Sequence, residues 1–421
     1  MQTKIYKNDI LGEEYSLTIL DNKLKVYILE KPNYQTTYAI YGTKYGSIDT
    51  AFSVDSSDMI TVPEGIAHFL EHKLFESEDG DAFTKYAATG GYANAFTSFD
   101  KTCYLFSCSK MFDENMDILL DFVQNPYFTE ATVQKEQGII GQEIRMYDDS
   151  PGWCVLFNAL SAMYHNNPVK IDIAGTTDSI AKIDSKLLYD CYNAFYNPAN
   201  MFICVVGNVE RGKCLNKIAL AVNKNEEHII HRKKVEEPET IVTDYIEKRL
   251  DVALPLFCGA FKQNIKSEVT LFDVICVNIL LNILVGDASP LYKKLVDSNL
   301  INDSFDTEYF VGRDYAAILF EGESQNPKEV MNLIKEEIAN LKISGLNKQL
   351  FEAAKKDSYG SMIKRYNSVE DIAMMFVDAA VSDYNPFDEV EIIKNLSVKD
   401  VEKYLDIFEN DKSVLSVILP R

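Results

Sequence analysis

The sequence predicts an α+β protein of two duplicated domains, each a mostly antiparallel sheet with helices packed on one face. Three observations in the 421 residues predict it. Runs of strand-like segments precede runs of helical ones, which is the order of a segregated α+β fold and not of alternating βαβ units. The order strand, helix, two strands, several helices, strand occurs twice. Between the two occurrences lie residues 223–239, NKNEEHIIHRKKVEEPE, which are charged, largely without apolar periodicity, and contain Pro238. Domain boundaries fall in such polar stretches. The expected division is a domain over 1–222, a linker over 223–239 and a second domain over 240–421.

The elements follow in order. Residues 24–29 and 37–45 are rich in β-branched and aromatic side chains and read as strands. Pro63 opens a helix expected to end near Gly80. Residues 92–97 and 102–108 read as two strands joined through 98–101. Residues 113–123 are helical, with Met116, Leu119, Leu120 and Val123 on one face. A second helix runs from about Glu130 to Tyr147 and stops before Pro151. After further helix, the apolar run 201–206 reads as a buried strand, and helix 211–222 closes the half. In the second half, 252–261 is strand-like and 268–284 is a strongly apolar helix. Residues 306–311 and 316–321 form two strands, several helices follow, and 412–419 is a last strand.

Composition narrows the function classes. Forty-two Lys and Arg stand against 64 Asp and Glu, a net charge of −22. Such a chain repels nucleic acid and anionic lipid, so neither is expected as a partner. No apolar run approaches the ~20 residues that cross a bilayer, so no membrane span is expected. The N-terminal MQTKIYKNDILGEEY lacks the apolar core of a signal peptide. Eight cysteines include no C-x-x-C pair, and Cys204 and Cys276 lie inside apolar runs. They read as reduced core residues, and a cytoplasmic location is expected.

One constellation carries chemistry. Residues 64–76, EGIAHFLEHKLFE, contain His68, Glu71 and His72 in an H-x-x-E-H pattern, in a chain with only five histidines. On a helix, positions i and i+4 are ~6 Å apart along the axis and ~40° apart in rotation. His68 and His72 can therefore send imidazole nitrogens to one ion. Glu71, at i+3 from His68, lies on the same face and reaches a water on that ion. A catalytic zinc takes three protein ligands and one water. The third ligand comes from elsewhere, and residues 131–149 offer Glu136 and Glu143. These are seven residues apart on one helix face, and by geometry either reaches the ion.

The chain resembles the pitrilysin/insulinase family of zinc peptidases, the inverzincins, which includes mitochondrial processing peptidase. The resemblance rests on His68-Phe69-Leu70-Glu71-His72, on Glu136 and Glu143, and on Gly90-Gly91-Tyr92-Ala93-Asn94-Ala95-Phe96-Thr97-Ser98. Further matches are Phe195-Tyr196, Pro198, Asn200-Met201 and Val205-Val206-Gly207-Asn208. It covers essentially the whole chain and is strongest over 40–210. It implies a zinc endopeptidase or a subunit of one, holding one Zn²⁺ per chain on His68, His72 and Glu143. It makes Glu136 a supporting acid behind the ligands and Glu71 the general base. It makes Asn94, Ala95 and Phe96 the sheet edge on which a peptide adds as a strand within a two-domain clamp. The alternative is a non-catalytic peptide-binding or assembly subunit of a processing-peptidase-like complex.

One departure bears on partners. Complete family sites carry an Arg and a Tyr in the second domain that hold the substrate carbonyl. Here Pro290 stands at the Arg position and Asn302 near the Tyr position, with Lys293 and Lys294 as the nearby cations. The resemblance is to the zinc-bearing bacterial subunit type. It implies a homodimer, or a heterodimer with a paralogue that carries the Arg/Tyr pair.

Overall fold

The computed structural model describes residues 1–78, 80–224, 227–265 and 267–421. They form two compact units. Unit 1 comprises residues 1–144, 172–234 and 363–387, and unit 2 comprises 145–171, 235–362 and 388–421.

Unit 1 is built on a seven-stranded sheet. Its strands are β1 (Gln2–Asn8), β2 (Glu13–Ile19), β3 (Lys25–Glu30), β4 (Thr37–Thr43), β5 (Tyr92–Thr97), β6 (Thr102–Cys108) and β7 (Met201–Gly207). Their order is β1-β2-β3-β7-β4-β6-β5, and only the β3–β7 pair is parallel. Every residue of β4 and of β7 is buried. Strands apolar on both sides need cover on both sides. Helices α1 (Ile66–Leu74), α2 (Ala82–Thr89), α3 (Phe112–Gln124) and α4 (Glu130–Asp148) belong to this half of the chain. Phe75, just past α1, and Phe122 of α3 pack on Tyr104, which pairs with Tyr41 across the sheet. Tyr38, on the opposite face of β4 by alternation, meets Glu370 of helix Val369–Ser382. Tyr27 stacks on Phe376 of that same helix at 5.5 Å. The one-sided helical layer expected from the element order is thus joined by one helix on the second face.

Unit 2 repeats the pattern. Its sheet contains β8 (Tyr245–Leu250), β9 (Leu256–Gln263), β10 (Asp306–Gly312), β11 (Tyr315–Glu323) and β12 (Ser413–Pro420), in the order β8-β12-β9-β11-β10. The β8–β12 pair is parallel and the rest are antiparallel. Strand for strand this matches β3-β7-β4-β6-β5, so the duplication holds in topology. Each unit also takes one helix from the other half of the sequence. Helix α5 (Pro151–Met163) belongs to unit 2, and Val369–Ser382 belongs to unit 1.

Two local differences from the sequence reading matter. The helix expected to open at Pro63 begins at Ile66 and ends at Leu74. Gly65 before it has φ +85, and a Cβ there would lie 2.4 Å from the carbonyl oxygen of Ala174. Ser179 Oγ donates to the Glu64 carbonyl at 2.9 Å, fixing the same entrance from the other side. Past Leu74 the short strands Glu76–Ser77 and Gly80–Asp81 pair, where the sequence predicts the helix to continue to about Gly80, and α2 follows. The charged segment 223–239 is also anchored. Ile230–Arg232 pairs with Ala51–Val54. The Glu237 carboxylate accepts the backbone N–H groups of His165, Asn166 and Asn167 and the ammonium of Lys262.

Candidate metal centre

Helix α1 is a core helix. Ile66, Ala67, Phe69, Leu70 and Leu74 are buried, and so are the polar His68, Glu71 and Lys73. Lys73 is completely buried and pairs with Glu76 just beyond the helix. His72 is the half-exposed position, facing α4. On α4, Glu136 is buried and Glu143 half-buried, two turns apart on one side.

The structure brings His68, His72 and Glu143 together. His68 Nε2 lies 3.7 Å from Glu143 Oε1, and His72 Nε2 lies 3.5 Å from Glu143 Oε2. One ligand atom from each lies within 4.8 Å of the others. These separations are too long for good hydrogen bonds. They are close to the roughly 3.4 Å between two donors held at ~2.0–2.1 Å on a tetrahedral ion. His68 Nδ1 is buried without a hydrogen-bond partner among the described residues, so only the outward nitrogen faces other donors. The donor set, two imidazoles and a carboxylate, fits a zinc ion.

Glu136 takes a different place. Its Oε1 lies 3.0 Å from His72 Nδ1. A carboxylate only accepts, so neutral His72 carries its proton on Nδ1 and turns the Nε2 lone pair toward Glu143. Glu71 Oε2 accepts a 2.7 Å hydrogen bond from Thr97 Oγ1 at the end of β5.

The electrostatics keep the donors ready. Burial, reinforced by neighbouring His72, pushes the His68 imidazole down to about 3, so it stays neutral. Burial also acts to lower His72. The Glu136 hydrogen bond and the surrounding carboxylates of Glu71, Glu143 and Glu136 outweigh it and raise the ring above its ordinary value. Burial raises Glu71 above the usual carboxylate range, against the opposing pull of the Thr97 hydrogen bond.

Asn94, Ala95 and Phe96 lie in β5, which pairs with β6 alone among the described residues. No strand pairs with its other edge among the described residues. In unit 2, Pro290 is the first residue of helix Pro290–Asp297, behind the capping hydroxyl of Ser289. Asn302 is held in a turn, donating to Glu323 at 2.8 Å and accepting from Ser304 N–H at 3.0 Å. Lys293 and Lys294 are exposed. Thr97 is the contact to the site that the sequence reading did not single out. Its side chain shares a face with Ala93 and Ala95, and the alternation of β5 was the available signal.

Comparison with known proteins then decides the family. A model described as insulinase, peptidase family M16, matches residues 61–177. A model of the peptidase M16 inactive domain matches residues 182–357. The uncharacterised zinc protease YmfH of Bacillus subtilis (strain 168) is 36% identical over 413 residues, 96% of each chain. The chain belongs to peptidase family M16. Its structure superposes on that of an M16-like peptidase from Alicyclobacillus acidocaldarius with a TM-score of 0.94 at 30% identity, covering 97% of this chain and 99% of that one. Pitrilysin gives a TM-score of 0.78 at 18% identity over 100% of this chain and 46% of its own, a likeness of fold. This M16 chain thus matches about half of pitrilysin and nearly the whole of the two bacterial relatives.

Proposed function

We propose that this M16 chain is a zinc-dependent endopeptidase, or the zinc-bearing subunit of one, that cleaves peptides laid along the open edge of β5. The observation that carries the reading is the convergence of His68 Nε2, His72 Nε2 and Glu143 beside the carboxylate of Glu71. His68, His72 and Glu143 would hold one ion, with Glu136 fixing the tautomer of His72. Zinc, when bound, supplies a Lewis acid that acidifies water and polarises the scissile carbonyl. Glu71 takes the proton from the attacking water and later delivers it to the leaving amine. Its raised affinity for a proton suits a base that must also act as an acid. Backbone pairing along Asn94, Ala95 and Phe96 would hold the peptide extended with little demand on its sequence. The eight cysteines are all buried free thiols, which supports a reducing, cytoplasmic setting. No single helix among the described residues is long and apolar enough to cross a membrane.

Pro290 and Asn302 support a refinement. Neither offers a guanidinium or a phenol to a developing oxyanion, and loss of one such donor costs roughly 10²–10³ in turnover. Full activity then requires a second subunit, either another copy or a paralogue with the Arg/Tyr pair. The same two residues favour the competing reading, a non-catalytic peptide-binding or assembly subunit. The test is elemental analysis after dialysis, followed by hydrolysis of a flexible peptide library by the chain alone and with a co-encoded paralogue. About one zinc per chain, lost in His68→Ala and Glu143→Gln, together with zinc-dependent cleavage in either arm supports the peptidase. Peptide binding without cleavage in both arms supports the competing reading.

A further inference from the structure

Thr97 is the one hydrogen-bond partner of the Glu71 carboxylate among the described residues, at 2.7 Å. The hydroxyl is itself directed. Thr102 Oγ1, fully buried, lies 3.5 Å away and donates to the carbonyl of Tyr45 at 2.8 Å. Thr97 is therefore left to donate toward Glu71. A glutamate side chain has three rotatable bonds and loses substantial rotamer freedom when fixed. A charge-assisted hydrogen bond to one oxygen restrains all three bonds at once. The second oxygen, Oε1, makes no hydrogen bond among the described residues, and the Glu71 carboxylate interacts electrostatically with His72 and Glu143.

Thr97 also has a second connection. It ends the same strand whose residues 94–96 present the open sheet edge. Thr97 and Thr102 are register partners in the β5–β6 pair, so the hydroxyl is fixed by sheet geometry and not by a loop. The strand that would receive the peptide backbone is therefore the strand that holds the base.

We infer that Thr97 is a positioning residue. It clamps Glu71 Oε2 so that Oε1 addresses the attacking water, and it ties the orientation of the base to the register of the bound peptide. This inference rests on the peptidase reading above. A misplacement of about 1 Å at a reacting group costs up to ~10²-fold, so loss of the clamp falls mainly on kcat.

The test compares Thr97→Val, which keeps the shape and removes the hydroxyl, with Thr97→Ser, which keeps the hydroxyl. Zinc content, kcat and KM on one peptide, and crystal structures of the wild type and both variants are measured. Thr97→Val is expected to hold full zinc, keep KM within about twofold and lose about 10- to 100-fold in kcat. Thr97→Ser is expected to stay within about threefold of the wild type. In the crystals, the Glu71 carboxylate takes one conformation in the wild type and Thr97→Ser, and several in Thr97→Val. Unchanged kcat in Thr97→Val, or a single unaltered Glu71 conformer in it, overturns the inference. Zinc loss matching the loss of kcat also overturns it, because the hydroxyl would then support the metal site and not the base. If Thr97→Val fails to fold, Thr97→Ala must show the same kcat deficit and the same dispersed Glu71. A wild type that binds zinc and peptide without cleaving, alone or with a partner, instead removes the peptidase reading. The crystal comparison then still decides whether Thr97 orders Glu71.

Discussion

Glu136 Oε1 sits 3.0 Å from His72 Nδ1, on the side of the ring opposite the nitrogen that faces Glu143. That contact separates the two acids of α4: in the proposed site Glu136 orients a donor and Glu143 is one. Removing an orienting partner of this kind typically costs 10–100-fold in metal affinity. Glu136→Ala should therefore still bind zinc, but about 10–100-fold more weakly in a chelator competition. Glu143→Ala should lose it outright. Equal affinities for Glu136→Ala and the wild type would remove the orienting role.

Acid should release the metal through one histidine and not two. Both rings must be neutral to ligate. His72 is raised above its ordinary 6.5, so as pH falls below that range it protonates and competes with zinc. His68, pushed down to about 3, remains neutral throughout. Between about pH 5 and 6.5, the span in which an unperturbed histidine titrates, the logarithm of apparent zinc affinity should change by about one per pH unit. A slope near two, measured by competition against a chelator of known affinity, would show that both rings take up protons there.

The start of α1 depends on a glycine. Gly65 combines φ +85 with a 2.4 Å approach to the Ala174 carbonyl. A non-glycine residue in such a conformation costs about 1–3 kcal/mol, before any clash. Gly65→Ala should lower the thermal unfolding midpoint and weaken zinc binding as well, because His68 is three residues along the same helix. A variant as stable as the wild type would mean that the 172–179 loop yields without cost.

The Glu237–Lys262 pair should contribute to the acid stability of unit 2. Burial acts to raise Glu237, but the Lys262 hydrogen bond and the N–H groups of His165, Asn166 and Asn167 hold it below its ordinary 4.5. A depressed carboxylate stabilises the fold above the unfolded value, and that stability is lost as pH falls through the folded value. Glu237→Gln leaves Lys262, 1% exposed, without its counter-charge. Breaking one side of a buried pair costs about 3–5 kcal/mol. Denaturant unfolding should show that deficit at pH 7 and a shrinking difference from the wild type below pH 4.5. A deficit that stays constant with pH would assign the effect to packing.

Particular elements show what the sequence carried. Strands 92–97 and 102–108 were legible to the residue, because alternation and a polar turn are local signals. The span of α1 was not legible. Its start is set by Gly65 against Ala174 and by Ser179 against Glu64, contacts between residues far apart in the chain. Strand β8, YIEKRL, carries three charges and lacks a β-like run, and its parallel pairing with β12 supplies the order that its composition does not. In the candidate site, the i, i+4 histidines were legible from helix geometry alone. The choice between Glu136 and Glu143 was not legible from spacing and came only from the family resemblance, because both share a face and the placement of α4 beside α1 decides which meets which nitrogen. Thr97 needed the register of the β5–β6 hairpin before its side could be assigned.

In the proposed mechanism Glu71 moves the proton while His68, His72 and Glu143 hold the metal. The most direct measurement is peptide turnover by zinc-replete Glu71→Gln beside the wild type, each with its zinc content determined in the same preparation and with the partner subunit present if one is required. Glutamine keeps the size and cannot accept the proton, and loss of a general base costs a factor of ~10²–10⁴. Both proteins should hold one zinc per chain, and the variant should lose turnover by a factor of that size. Turnover by Glu71→Gln equal to the wild type, with zinc present, would contradict this mechanism.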